Sequence, residues 1–99
     1  MRIIAKRTLR EHWEQADRRD SEQPLQAWHQ HTRRADWAEP ADVKATYGNA
    51  SILGNSRVCF NIAGNKYRLV THIHYPLRIV FIRFVGTHGE YDQIDANTI

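Results

Sequence analysis

Cysteine is nearly absent from this 99-residue chain. Cys59 stands alone, so no internal disulfide can form and no cysteine-based zinc framework exists. Long apolar runs are also missing. None approaches the roughly 20 residues a membrane-spanning helix requires. The opening Met1-Arg2-Ile3-Ile4-Ala5-Lys6-Arg7 is basic, but its apolar stretch is too short for a signal peptide. These absences predict a cytoplasmic protein with no membrane association. There is no Walker loop, no Gly-rich dinucleotide loop and no Gly-x-Ser-x-Gly elbow, which removes the common nucleotide-binding and hydrolase signatures. With 41% hydrophobic and 25% charged residues the chain is not disordered, and its length predicts one domain over residues 1–99.

The most informative scarcity is of carboxylates. From Val43 to Gly89 there are six cations (Lys44, Arg57, Lys66, Arg68, Arg78 and Arg83) and no Asp or Glu. Residues before this span balance their charges, and the last ten carry three acids, so the net +3 is concentrated in the second half. Such a span attracts phosphates and repels carboxylates. It predicts a nucleic-acid or other polyanion surface, although strand-rich segments are poor in Asp and Glu for reasons unconnected with function.

Periodicity divides the chain into two halves. Arg2–Ala5 reads as an opening strand. Leu9, Trp13 and Ala16 form one helical stripe between Lys6 and about Arg18. Ser21 is a plausible N-cap for a second helix, with Pro24 in its first turn and Leu25, Trp28, Thr32 and Ala35 along one side. Pro40 opens a short third helix whose Val43 and Tyr47 share a face, and Gly48–Ser51 and Gly54-Asn55 read as loops. The period then falls to two. Strands are predicted at Val58–Ile62, Lys66–Tyr75 and Arg78–Val85, with Ala63-Gly64-Asn65 as a hairpin turn and Gly86 as a strand breaker. The last segment reads as a loop leading into a final helical turn. Consecutive strands with short links predict an antiparallel meander packed on helices, an α+β fold.

Face assignments follow from the period. Lys66, Arg68, Val70, His72 and His74 lie on one side of their strand, and Tyr67, Leu69, Thr71, Ile73 and Tyr75 on the other, toward the helices. The last strand is apolar on both sides, with Val80, Ile82 and Phe84 on one and Arg83 on the other, which predicts a central strand and a partly covered Arg83. Trp13 and Trp28 fall on helical stripes and read as core. Trp37 is open to either a core or an RNA-stacking reading.

The chemistry narrows to a few residues. His72-x-His74 and His29-x-His31 lack any supporting Cys or carboxylate, so no metal site is predicted. Lys66, Arg68, His88 and Tyr91 suit phosphate chemistry better. RNA can be cut when its 2′-OH attacks the adjacent phosphate in line, which needs a base, an acid and cations for the developing charge. Imidazole suits proton transfer near neutral pH, a guanidinium forks onto phosphate, and a tyrosine hydroxyl can donate a proton. Each residue also has a plain alternative: His88 in a loop, Tyr91 anchoring the tail, Arg68 solvated on a strand.

Two blocks add a resemblance. Phe60-Asn61-Ile62-Ala63-Gly64-Asn65-Lys66-Tyr67-Arg68-Leu69-Val70 resembles the central hairpin of HigB-type toxins, and Phe81–Asp92, with its Thr87-His88-Gly89-Glu90-Tyr91-Asp92 ending, resembles their last strand and C-terminal motif. These toxins belong to the RelE superfamily. The resemblance implies a RelE-like single domain with a small antiparallel sheet packed against N-terminal helices. It implies a metal-independent endoribonuclease, needing no cofactor, that cuts mRNA in the ribosomal decoding site. It also implies a HigA-type helix-turn-helix antitoxin, through which alone the toxin would meet operator DNA. Carried onto this chain, Arg68, His88 and Tyr91 become the catalytic candidates. Asn61, Asn65 and Lys66 adjoin the hairpin motif, and Arg83, Lys44 and Arg57 complete an RNA-binding set. Gly89 departs from the pattern, where a larger polar residue is common. Two other readings compete: a non-catalytic RNA- or ribosome-binding module, and a relative that poisons another target such as gyrase.

Overall fold

A computed structural model describes all residues, 1–99. The chain runs β1 (Arg2–Ile4), α1 (Lys6–Trp13), a 3-10 turn (Arg19–Ser21), α2 (Glu22–Arg34), α3 (Pro40–Thr46), β2 (Ser51–Ile52), β3 (Arg57–Ile62), β4 (Tyr67–His74), β5 (Ile79–Thr87) and α4 (His88–Tyr91). One sheet has the order β1-β5-β4-β3-β2. Strands β3 to β5 form the predicted antiparallel meander and β2 extends it, but β1 pairs parallel to β5, so the sheet is mixed. The α+β, RelE-like class stands. The parallel edge was hidden because it joins the first and last strands, which no local turn signal connects.

The main core lies between one sheet face and the helices. Leu9, Leu25, Trp28, Val43, Phe60 and Leu69 are buried in it. All three tryptophans belong there. Trp37 is 2% exposed and stacks on Phe60 at 6.1 Å, which settles its two readings in favour of core. Helix α1 stops at Trp13 rather than near Arg18, and Ala16 is exposed. His12 takes the expected place of an apolar residue on the stripe. Its Nδ1 lies 2.9 Å from the Ser21 hydroxyl, which itself donates to the Arg18 carbonyl at 2.7 Å. That hydroxyl proton is spent, so Nδ1–H is the donor to Ser21. Ser21 thus sits at the N-cap position of α2, but its side chain closes the α1–α2 connection instead of capping the helix.

Three local features bear on the site. Ser51–Ile52, within a segment read as loop, adds a short edge strand. Gly86 does not break β5. It pairs with Arg68, and a Cβ there would come within 2.7 Å of both the Phe84 ring and a Glu90 carboxylate oxygen, so glycine permits a close approach. Positive φ in the β3–β4 turn falls on Ala63 and Gly64.

The register between β4 and β5 shifts at Val70/Thr71, where Val70 faces Phe84 but Thr71 faces Ile82. Arg83 is therefore an extra, bulged residue. It is exposed rather than partly covered, and its guanidinium lies 5.4 Å from the Phe81 ring. Past the bulge the alternation inverts. Phe84 leaves the face of Val80 and Ile82 and joins Cys59 and Val70 on the opposite side, while Val85 packs on the main core. The C-terminal segment covers that opposite patch through Tyr91, Ile94, Ala96 and Ile99. So the second face of the sheet is not one open cationic surface. Its middle is apolar and covered.

Candidate functional site

The Thr87–Tyr91 segment is built as a helix start. Thr87 and Glu90 form a reciprocal capping box: the Thr87 hydroxyl accepts from the Glu90 N–H at 3.2 Å, and a Glu90 carboxylate oxygen accepts from the Thr87 N–H at 2.9 Å. The Thr-x-x-Glu spacing was visible in the sequence as this local signal. Arg18 then forks onto the same carboxylate at 2.7 and 2.9 Å. Hydrogen bonding from Arg18, and then from the Thr87 N–H, holds the Glu90 carboxyl down at about 2. The α1–α2 connection therefore clamps the helix that carries both His88 and Tyr91. Neither Arg18 nor Glu90 was among the sequence candidates. Arg18 lies outside the motif blocks, and nothing in the sequence foretells its long-range pairing.

His88 is exposed, with Nδ1 3.1 Å from an Asp92 carboxylate oxygen one helical turn on. This contact orients the ring and leaves Nε2 without a protein partner. Tyr91 packs half-buried over Cys59 and Val70. Burial, and then the Cys59 thiol beside it, push its hydroxyl above the ordinary tyrosine range, with Arg68 acting against them. Tyr91 is consequently a protonated donor at neutral pH, not a base. Burial likewise pushes the Cys59 thiol up, so it is no ready nucleophile.

Arg68 occupies the same end of the sheet, in one register row with Asn61 and Gly86. One guanidinium nitrogen donates to the Asn65 carbonyl at 3.0 Å, fixing the side chain against the hairpin turn. No other side chain pairs with it, so the rest of the fork is available. The fold thus brings Arg68 and Tyr91 to one end of one face and sets His88 on the same short helix as Tyr91.

The remaining sequence candidates are more committed. Lys66 is paired with Asp20, which also accepts from the Tyr67 hydroxyl at 2.6 Å. Lys44 donates to the carbonyls of Gly48 and Ala50 at 2.6 and 2.8 Å, closing the loop before β2. Arg57 spends all three nitrogens on main-chain oxygens of Asn55 and Ile99. Asn61 reaches the Asn49 carbonyl only at 3.4 Å. Asn65 contributes its carbonyl to Arg68, as a turn residue. Lys44 and Arg57 are therefore local structural donors, and neither joins the Arg68–Tyr91 end. Arg83 is free but lies further along the sheet. No three metal-ligating side chains converge anywhere.

The shape is open. The largest depression, about 440 Å³, is lined by Trp13, Glu14, Arg19 and Glu22 on the helical side and contains none of the candidates. None of the three depressions is lined by Arg68, His88 or Tyr91, so this cation-bearing end offers no enclosed small-molecule pocket and fits a macromolecular ligand better.

The fold and the cationic sheet end define an α+β domain of the RelE-like kind. A family description agrees: HigB_toxin, the RelE-like toxic component of a toxin–antitoxin system, matches residues 21–94. The chain belongs to this family. Membership implies an antitoxin partner. All the sequence candidates, including Arg68, His88 and Tyr91, lie within the matched segment, whereas β1 and α1 lie before it. No curated protein matches the chain. No helix is long and apolar enough to cross a membrane.

Proposed function

We propose that this toxin is an endoribonuclease that cleaves translated mRNA on the ribosome, in the cytoplasm, and is neutralised by a HigA-type helix-turn-helix antitoxin. The reading is supported above all by Arg68 and Tyr91 meeting at one end of an acid-poor sheet face, with His88 on the helix that carries Tyr91. In this reading the 2′-oxygen bonds to phosphorus as the bond to the 5′-oxygen breaks, leaving a 2′,3′-cyclic phosphate and a 5′-hydroxyl. The proton of the 2′-OH is taken up and one is delivered to the departing 5′-oxygen. His88 and Tyr91 share these transfers, with protonated Tyr91 on the donating side, and no metal takes part. The free side of the Arg68 fork meets the charge developing on the phosphoryl oxygens. So sparse a site depends on the ribosome to align the mRNA, since positioning supplies much of the rate.

Primer extension on a defined mRNA tests this, with and without translating ribosomes. Wild type should create new 5′ ends inside the coding sequence only when ribosomes translate. His88→Ala, Arg68→Ala and Tyr91→Phe should each reduce them by about 10²-fold or more. Ribosome binding without cleavage by wild type would instead support a non-catalytic binding module.

A further inference from the structure

The second sheet face has another cationic end, remote from α4. Arg57, His72 and Phe81 form one register row across β3, β4 and β5, and Ile4 of β1 continues it beside Phe81. From Arg68 to His72 is four strand residues, roughly 13 Å. The tail-covered patch of Cys59, Val70 and Phe84 lies between them. This far end is open: Arg2 and Arg83 are exposed, Ile4 is 36% exposed, and Phe81 is half-buried.

Two of its cations, Arg2 and Arg83, are unpaired. Arg83 makes no ion pair or hydrogen bond and lies over the Phe81 ring. Arg57 is taken up by the tail and the loop before its strand, donating to the Ile99 and Asn55 oxygens, and adds no free donor here. Besides burial, only cations bear on the His72 imidazole (Arg57, Arg83 and His74), and no carboxylate opposes them. The His72 Nδ1 is buried without a partner. Its ring and that of Phe81 are 6.0 Å apart. An open sheet end with a partly accessible aromatic ring and flanking unpaired cations has the chemistry of a single-strand platform.

We propose that this end is a second RNA subsite, where a base of the bound single strand stacks on Phe81 while Arg83 and Arg2 hold its phosphates. It rests on the nuclease reading only in that the strand held here is the one cut at the other end. Arg83 falls on the side of Phe81, two residues along the strand, and the bulge leaves it out of the pairing with β4.

The test is fluorescence anisotropy with a short 2′-O-methyl oligouridine, which cannot undergo in-line attack, so binding is read apart from cleavage. Phe81→Leu should weaken binding about tenfold. Arg83→Gln should lower the slope of log K against log salt by about 0.7. Gln23→Ala, exposed on α2 on the helical side, should leave both unchanged. A duplex of equal length should compete poorly, since it offers phosphates but no free base to stack. Circular dichroism and the thermal midpoint check that Phe81→Leu is folded, and Arg83→Gln, at an exposed position, gives an independent reading. Wild-type affinity and salt slope in both variants would overturn the subsite, as would equal competition by duplex. Loss of antitoxin binding with RNA binding intact would overturn it in favour of a protein interface. Weakened binding alongside an absence of ribosomal cleavage by wild type would sustain the platform and sink only the nuclease reading.

Discussion

Replacing Glu90 by Gln should loosen α4 and with it the candidate site. The wild-type carboxylate accepts two hydrogen bonds from Arg18 and one from the Thr87 N–H, and these hold it at about 2 against an ordinary 4.5. At face value that displacement corresponds to roughly 3 kcal/mol. The Glu90 side chain is 47% exposed, so solvent screens much of this, and about 1–2 kcal/mol is the reasonable expectation. The amide that replaces the carboxylate still accepts from the Thr87 N–H, so the loss reports chiefly on Arg18. The sign follows from the depressed value. The stabilisation is fully present above pH 4.5 or so and fades as pH falls from there toward 2. Urea denaturation of wild type and Glu90→Gln across this range should give curves separated by about 1–2 kcal/mol at pH 7 that converge near pH 2. An Arg18→Gln, Glu90→Gln cycle should return a coupling of about 1 kcal/mol. A gap independent of pH, or additive single variants, would refute the clamp. Ribosome-dependent cleavage should fall in Glu90→Gln even at temperatures where the protein remains folded, because α4 carries His88 and Tyr91.

Gly86→Ala should destabilise by about 1–3 kcal/mol, read as a lowered denaturation midpoint, because its Cβ would meet the Phe84 ring and the Glu90 carboxylate at 2.7 Å. Gly89→Ala should do the opposite, raising stability by about 0.5 kcal/mol, since a Cβ there finds only the Thr87 hydroxyl at 4.0 Å and alanine has less backbone freedom to lose than glycine in the first turn of α4. Asp20→Asn should release Lys66 and lower the Tyr67 pKa, which burial raises first and the Asp20 contact raises further. Ultraviolet titration of the phenolates would show the shift, and no shift would mean that Asp20 does not pair as placed.

The parts legible in the sequence were those set by local spacing. The stripe of Leu25, Trp28 and Thr32, the Pro40 helix start and the alternation of β4 all emerge from side-chain period alone. What escaped was set at long range. The parallel β1–β5 pair, the bidentate Arg18–Glu90 clamp and the Asp20 contacts to Lys66 and Tyr67 join segments with no local signal between them. The bulge at Arg83 escaped for another reason. Strict alternation assumes an uninterrupted register, and one extra residue exchanges the faces of everything beyond it.

That single inserted residue also explains why charge alone misread the site. A carboxylate-free span suggested one continuous cationic face, yet the bulge sends Phe84 into the middle of it, where it packs with Cys59 and Val70 beneath the tail. The cations are therefore divided. Arg68 stays with Tyr91 at one end, Arg83 and Arg57 with Phe81 at the other, and Lys44 is spent on loop carbonyls. The last three acids are not opponents of the basic surface either. Glu90 and Asp92 brace the helix and the imidazole, and Asp95 caps the final turn through the Asn97 N–H at 3.1 Å. Hence the Thr-His-x-Glu-Tyr-Asp ending joins two functions in one turn: Thr87, Glu90 and Asp92 hold the backbone and ring in place, and His88 and Tyr91 are the groups so held. Substitutions in the first set should act on stability and cleavage together, whereas His88→Ala and Tyr91→Phe, which keep the Tyr91 ring packed on Cys59 and Val70, should act on cleavage alone.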